Sequence, residues 1–164
     1  MRDSVSEADI ARALEGELRR HAVRWYHTFD ARRSVPGFPD YVIVVGSWLL
    51  LCELKKTGGS PTAEQVAWLR ALVGPGRLVL LVGGLDGAEQ LARLVARIKS
   101  GTVGARALGA AGAAVQVLGS VSVRGRAAVA ASADALPAAA AVAAGATMPP
   151  TRHRRDSRRR PRGS

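Results

Sequence analysis

Two β-rich runs, Tyr41-Val-Ile-Val-Val45 and Trp48-Leu-Leu-Leu-Cys-Glu-Leu-Lys55, are joined by nothing but Gly46-Ser47. A two-residue link with Gly first predicts a β-hairpin closed by a type II′ turn. That turn sets the register of everything beyond it. Val45 faces Trp48, each later pair follows in step, and Asp40 arrives directly opposite Glu53. Side chains alternate along a strand, so Lys55 projects from the same face as Glu53, together with Val42, Val44, Leu49 and Leu51. Facing residues have Cβ atoms roughly 5 Å apart, and like charges at that separation are destabilising. Two carboxylates and an ammonium group are therefore expected to converge in apolar surroundings.

A divalent cation resolves the repulsion. Mg²⁺ takes oxygen ligands, and it usually keeps waters beside one or two carboxylates and a substrate phosphate. Mn²⁺ is a ready substitute. Asp40 and Glu53 are the expected metal ligands, with the backbone carbonyl of Cys52 as a further oxygen. Lys55 can orient an attacking water or steady developing charge, which outlines phosphodiester hydrolysis. Taken singly, these residues have plainer readings: Asp40 as a turn acid after Pro39, and Glu53 with Lys55 as an ion pair on a solvated strand. The apolar neighbours on that face argue against the second.

The rest of the chain reads as alternating helices and strands. Ser6 and Asp9 form a capping box ahead of the stripe Ile10, Leu14, Leu18, which predicts a helix over residues 7–20. Residues 21–28 read as a strand, and Asp30 to Pro39 as a loop. Ser60 with Pro61 at the first helical position predicts the start of a second helix, with Val66, Leu69, Leu72 and Val73 inward and Gly74-Pro75-Gly76 as its end. Arg77-Leu-Val-Leu-Leu-Val82 is almost wholly apolar, as expected of a strand in a sheet covered on both faces. Asp86 and Glu89 resemble a cap for a last helix marked by Leu91, Leu94, Val95 and Ile98. The order α-β-β-β-α-β-α predicts a three-layer α/β core with a mixed central sheet.

At its central motifs the chain resembles the VRR-NUC branch of the PD-(D/E)xK nucleases. Gly37-Phe-Pro-Asp40 matches the G-x-PD motif and Glu53-Leu-Lys55 the E-x-K strand, and a Gln-bearing helix follows with Gly59, Thr62, Gln65 and Trp68-Leu69. The resemblance covers about residues 6–98. It implies a restriction-endonuclease-like fold and a metal-dependent DNA nuclease, related to Holliday-junction resolvases and structure-specific in its cutting. Asp40 and Glu53 then match the metal-binding acids, Lys55 the catalytic lysine, and Gln65 the supporting helix glutamine. Glu7 is the best match for an acid on the first helix, with Glu15 and Glu17 as competitors. DNA, branched DNA included, is the expected partner, and two copies of the chain are expected to pair where both strands are cut. A different class of function fits the same residues less well: a non-catalytic nucleic-acid-binding protein that retains the nuclease fold.

Charge refines the partner. The formal net charge is +11, of which residues 1–99 hold +3, residues 100–150 hold +2 and residues 151–164 hold +6. On this reading residues 1–100 are the nuclease domain, 101–150 an Ala/Gly-rich low-complexity segment and 151–164 a basic tail. Residues after 100 are expected to be disordered or marginally structured, because few large side chains offset the entropy of ordering. An Ala-rich helical segment docked on the domain is the alternative. Arg32 and Arg33, in the loop before the motif, and Lys56, just after it, are candidate phosphate contacts. His21 and His27 read as structural, Cys52 as a core thiol, and Trp25, Trp48 and Trp68 as packing aromatics. One cysteine excludes an internal disulfide framework. The charged N-terminal residues lack the apolar core of a signal peptide, so a cytoplasmic protein without a membrane span is expected.

Overall fold

The structure, a computed structural model, describes residues 5–28 and 35–130 of the 164-residue chain. The hairpin organises it. β2 (Tyr41–Val45) and β3 (Trp48–Lys55) pair antiparallel from Val45↔Trp48 to Tyr41↔Cys52, the register that the turn dictates. Gly46 takes φ +60°, while Ser47 stays out of the left-handed region, as a type II′ turn requires. β1 (Arg24–His27) adds antiparallel to β2, a shorter strand than residues 21–28 suggest.

On the other side β3 pairs parallel with β4 (Arg77–Gly83), whose residues from Leu78 onward are all buried. A fifth strand, β5 (Gln116–Gly119), pairs parallel with β4 and completes a mixed sheet in the order β1-β2-β3-β4-β5.

Helices cover both faces. α1 (Glu7–Arg20) and α3 (Gly84–Lys99) bury Ile10, Leu14, Leu18, Leu91 and Val95 against Ile43, Leu50, Cys52 and Leu80. On the opposite face α2 (Ala63–Leu72) and α5 (Val123–Ala130) bring Leu69 and Val129 onto Leu51, Val79 and Leu81. The Ser6–Asp9 capping box and the Ile10-Leu14-Leu18 stripe of α1 form as expected. Two helix starts differ from expectation. α2 is capped by Thr62 in a box with Gln65, because Ser60 is engaged with Ser122 instead. α3 begins at Gly84 with no side-chain cap; Asp86 accepts a hydrogen bond from Ser120, and Glu89 pairs with Arg93.

The expectation of disordered or marginal structure after residue 100 is corrected as far as Ala130. α4 (Ala105–Ala111), β5 and α5 belong to the same fold. Leu108, Val115, Val121 and Val129 are buried, so this stretch supplies core despite its composition. Its glycines are part of the reason. Gly119 (φ +70°) lies so close to Gly83 and Gly87 that a Cβ would overlap their backbones. Bare backbone therefore lets β5 and the start of α3 meet. The basic tail of residues 151–164 and the stretch 131–150 lie outside the described residues. Among the described residues no helix is long and apolar enough to cross a membrane.

Candidate active site

The site forms at the C-terminal end of β3, where the sheet passes from apolar to charged residues. Glu53 is 1% exposed and is among the largest fully buried side chains of the protein. Lys55, two residues on and also buried, donates from Nζ to Glu53 Oε1 at 2.5 Å. The carboxamide of Gln65, reaching across from α2, donates to the same oxygen. Glu53 Oε2 is buried and has no hydrogen-bond partner among the described residues. An ionised oxygen in that state is costly, and buried polar atoms in native proteins are nearly always satisfied.

Asp40 lies one step beyond the last hairpin pair. Its backbone carbonyl accepts from the Thr28 amide at 3.0 Å, which binds it to the β1 side. Its carboxylate Oδ2 accepts from the Leu54 amide at 2.7 Å, where a continued ladder would have placed main chain. The sheet thus ends in a side chain, and Asp40 is held beside Glu53 by the very amide that the shortened β2 leaves free. Burial raises the Glu53 carboxyl to about 7; the Asp40 carboxylate pushes in the same direction and Lys55 opposes it. Asp40 is raised as well, first by burial, with the Leu54 amide and Lys55 pulling it back.

Glu7, at the start of α1, accepts from the Lys56 amide at 3.2 Å, and its charge raises both Asp40 and Glu53. Its competitors are occupied elsewhere. Glu15 holds the Tyr41 hydroxyl and His27, and Glu17 pairs with Arg20. Of the first-helix acids, Glu7 is the one at the site. The side chain of Lys56 is exposed at the edge of the site. Arg32 and Arg33 lie outside the described residues.

Two features behind the acids were not foreseen from sequence. The Gly37 backbone (φ +89°) presses on the first turn of α2 so closely that a Cβ would stand 2.6 Å from the Glu64 carbonyl carbon and 2.8 Å from the Gln65 nitrogen. Trp68 Nε1 donates to the Pro36 carbonyl at 3.1 Å, and its ring meets Phe38 edge-on. The loop carrying Asp40 is thereby clamped to the helix carrying Gln65. The second feature is a latch. The Gly58 amide donates to Ser120 O at 2.8 Å, the Ser122 amide to Gly59 O at 3.2 Å, and the Ser60 and Ser122 hydroxyls meet at 2.5 Å. Nothing in the Gly- and Ser-rich wording of either loop marks them as partners.

The donor set fits a hard divalent cation. Among the described residues no group of three or more His, Cys, Asp or Glu side chains stands ready as a metal cage. Mg²⁺ does not require one; two carboxylates, waters and a phosphate suffice. Asp40 and Glu53, through its unpartnered Oε2, would be that pair of carboxylates. The Cys52 carbonyl, expected as a third oxygen, instead belongs to the ladder, where Cys52 pairs with Tyr41. On the same strand edge, Leu54 is past the last pair with its amide on Asp40, so by strand alternation its carbonyl is the one left at the site. Comparison of this chain with protein-family models, curated proteins and solved structures finds no significant match to any of them.

Proposed function

We propose that this protein is a metal-dependent nuclease of the PD-(D/E)xK type, with a restriction-endonuclease-like core of the VRR-NUC kind, hydrolysing phosphodiester bonds in DNA as a structure-specific endonuclease. The observation that carries the reading is Glu53 Oε2, buried beside a second carboxylate and left without a hydrogen bond. The ion pair with Lys55 uses only Oε1, and an oxygen kept in the state of Oε2 has a clear use as a metal ligand. Mg²⁺ held by Asp40 and Glu53 would polarise the scissile phosphoryl oxygen and favour ionisation of the attacking water.

The chain's own residues supply the rest. Gln65 and Lys55 both fasten Glu53 Oε1, so Oε2 takes part in neither bond and would be available to a metal ion. The Leu54 amide holds Asp40 in the facing position. Lys55 keeps its ammonium group at the reacting centre, where it can steady charge developing on the phosphate oxygens. Glu7 adds negative charge at the rim and ties α1 to the strand end through Lys56.

Incubation of supercoiled plasmid and branched DNA with the protein, in Mg²⁺ or EDTA, tests the reading. Cleavage is expected in Mg²⁺ or Mn²⁺ only. Lys55→Ala is expected to abolish it while DNA binding stays near wild type, since the role assigned to the lysine is in the transition state. Cutting by purified Lys55→Ala at the wild-type rate would remove Lys55 from the mechanism.

A further inference from the structure

α2 and α5 run side by side on the face that carries Glu53, and the space between them is an open groove. Their N-terminal ends lie together, with Gly125 packed against the Pro61 ring. Further along, Arg70 donates to the Ala128 carbonyl at 2.6 Å and spans the two helices. The walls are small residues, among them Ala63, Ala67, Gly125 and Ala128, and among the described residues the only charged side chains lining the groove are Arg70 and Arg124. One end opens at Ser60 and Thr62, a single turn from Gln65 and its contact with Glu53. The groove between α1 and α3, by contrast, is lined by Glu17 and Glu89 as well as Arg93 and suits no polyanion.

We propose that the α2–α5 groove holds one strand of the polynucleotide that the site acts on, with Arg124 and Arg70 neutralising its phosphates. The assignment rests on the nuclease reading for its choice of ligand. Charge supports it, since both charged lining residues are cationic and no acid among the described residues lines the groove. Shape supports it too: small side chains let a sugar-phosphate backbone lie close to both helices. Both helix N-termini point their positive ends toward the site end of the groove, which adds attraction for an approaching phosphate. α2 is ten residues long, or about 15 Å, room for only a few nucleotides of a single strand. Arg124 belongs to α5, outside the part of the chain that resembles known nucleases, so α5 adds a guiding wall to a site that does not itself include it.

The test is binding of the full-length protein to a fluorescent single-stranded oligonucleotide, in EDTA, over a series of salt concentrations. Arg124 is exposed, so its replacement leaves the core untouched. Arg124→Glu is expected to bind about tenfold more weakly at low salt, the size of one charge-assisted contact. Arg124→Ala is expected to flatten the plot of log K against log salt by about 0.7, the value for one phosphate contact on a single strand. Arg106→Glu, the same charge change on α4, is the control and should cost little. Equal affinity of Arg124→Glu and wild type would overturn the proposal, as would an equal loss in Arg106→Glu. If Arg124→Glu fails to fold, Arg124→Gln makes the same comparison. Because binding is read without cleavage, the two readings fail separately. A protein that never cuts yet loses binding with Arg124→Glu keeps the groove and loses the nuclease; one that cuts but ignores Arg124 does the reverse.

Discussion

Glu53 owes its properties to competing demands on two oxygens. Oε1 satisfies Lys55 and Gln65 at once, while Oε2 has no partner among the described residues, and burial and Asp40 push the carboxyl up to about 7. The consequence for stability has a definite sign. A carboxyl whose folded value exceeds its unfolded one favours the native state fully below the unfolded value, near pH 4.5, and that contribution is lost as pH rises through 7. The loss is on the order of 3 kcal/mol. Asp40, also raised, adds to it with the same sign. Melting curves in EDTA should therefore fall between pH 5 and pH 7.5, and Glu53→Gln should flatten the fall. Millimolar Mg²⁺ should restore stability at the higher pH, where the ligands are ionised, and Asp40→Asn should remove much of that gain. Parallel pH profiles for wild type and Glu53→Gln, or melting indifferent to metal, would count against the site.

At the scale of elements, α2 and β3 share one carboxamide. Gln65 Oε1 accepts from the Thr62 amide at 2.8 Å to close the capping box, and its Nε2 holds Glu53. The two ends of the side chain therefore have separable costs. Thr62→Ala should cost about 1 kcal/mol of stability, as lost caps do, and leave cleavage largely intact. Gln65→Ala should cost a similar amount of stability and in addition lower kcat, because Glu53 loses a restraint. Equal losses of kcat in the two variants would mean that Gln65 acts on the site only through the helix. Part of this element was legible in sequence: Gln65 was expected on the helix that follows the E-x-K strand, and it both caps α2 and contacts Glu53. Its cap was misplaced because Ser60-Pro61 is as good a helix start as Thr62, and only the distant Ser122 decides between them. The hairpin was legible to the residue, since a two-residue turn leaves no freedom of register. β5 was not. Four half-buried residues in an Ala/Gly-rich stretch carry no period, and what makes them a strand is the open edge of β4 rather than anything local. The Cys52 carbonyl was misassigned for a related reason, because strand parity says where a ladder runs and not where it stops.

The whole molecule closes on residues that composition would have discarded. A chain cut after residue 100 loses β5 from the sheet and Leu108, Val115, Val121 and Val129 from the core. Burying four such side chains contributes roughly 6–12 kcal/mol, comparable to the entire stability of a domain this size. The 1–100 fragment should therefore be unfolded or insoluble, whereas 1–130 should give a cooperative melt close to that of the full chain. Circular dichroism on the two fragments decides this, and a well-folded 1–100 would show that β5 and α5 are accessories.

The latch between the loop after β3 and the loop after β5 also has a history in time. Ser60 and Ser122 are 62 residues apart, and a ribosome adds 5–20 residues per second, so roughly 3–12 s separate their emergence. Throughout that interval Asp40, Glu53 and Lys55 have all been made, and Lys56 can reach Glu7, yet Gly58, Gly59 and Ser60 lack their partners at residues 120–122. The last strand is then the closing step of assembly, and if the chain is the nuclease proposed above, it would stay harmless until that strand had left the ribosome. Protease nicking of residues 56–60 in chains stalled at successive lengths would time that step; protection arriving before residue 122 emerges would refute it.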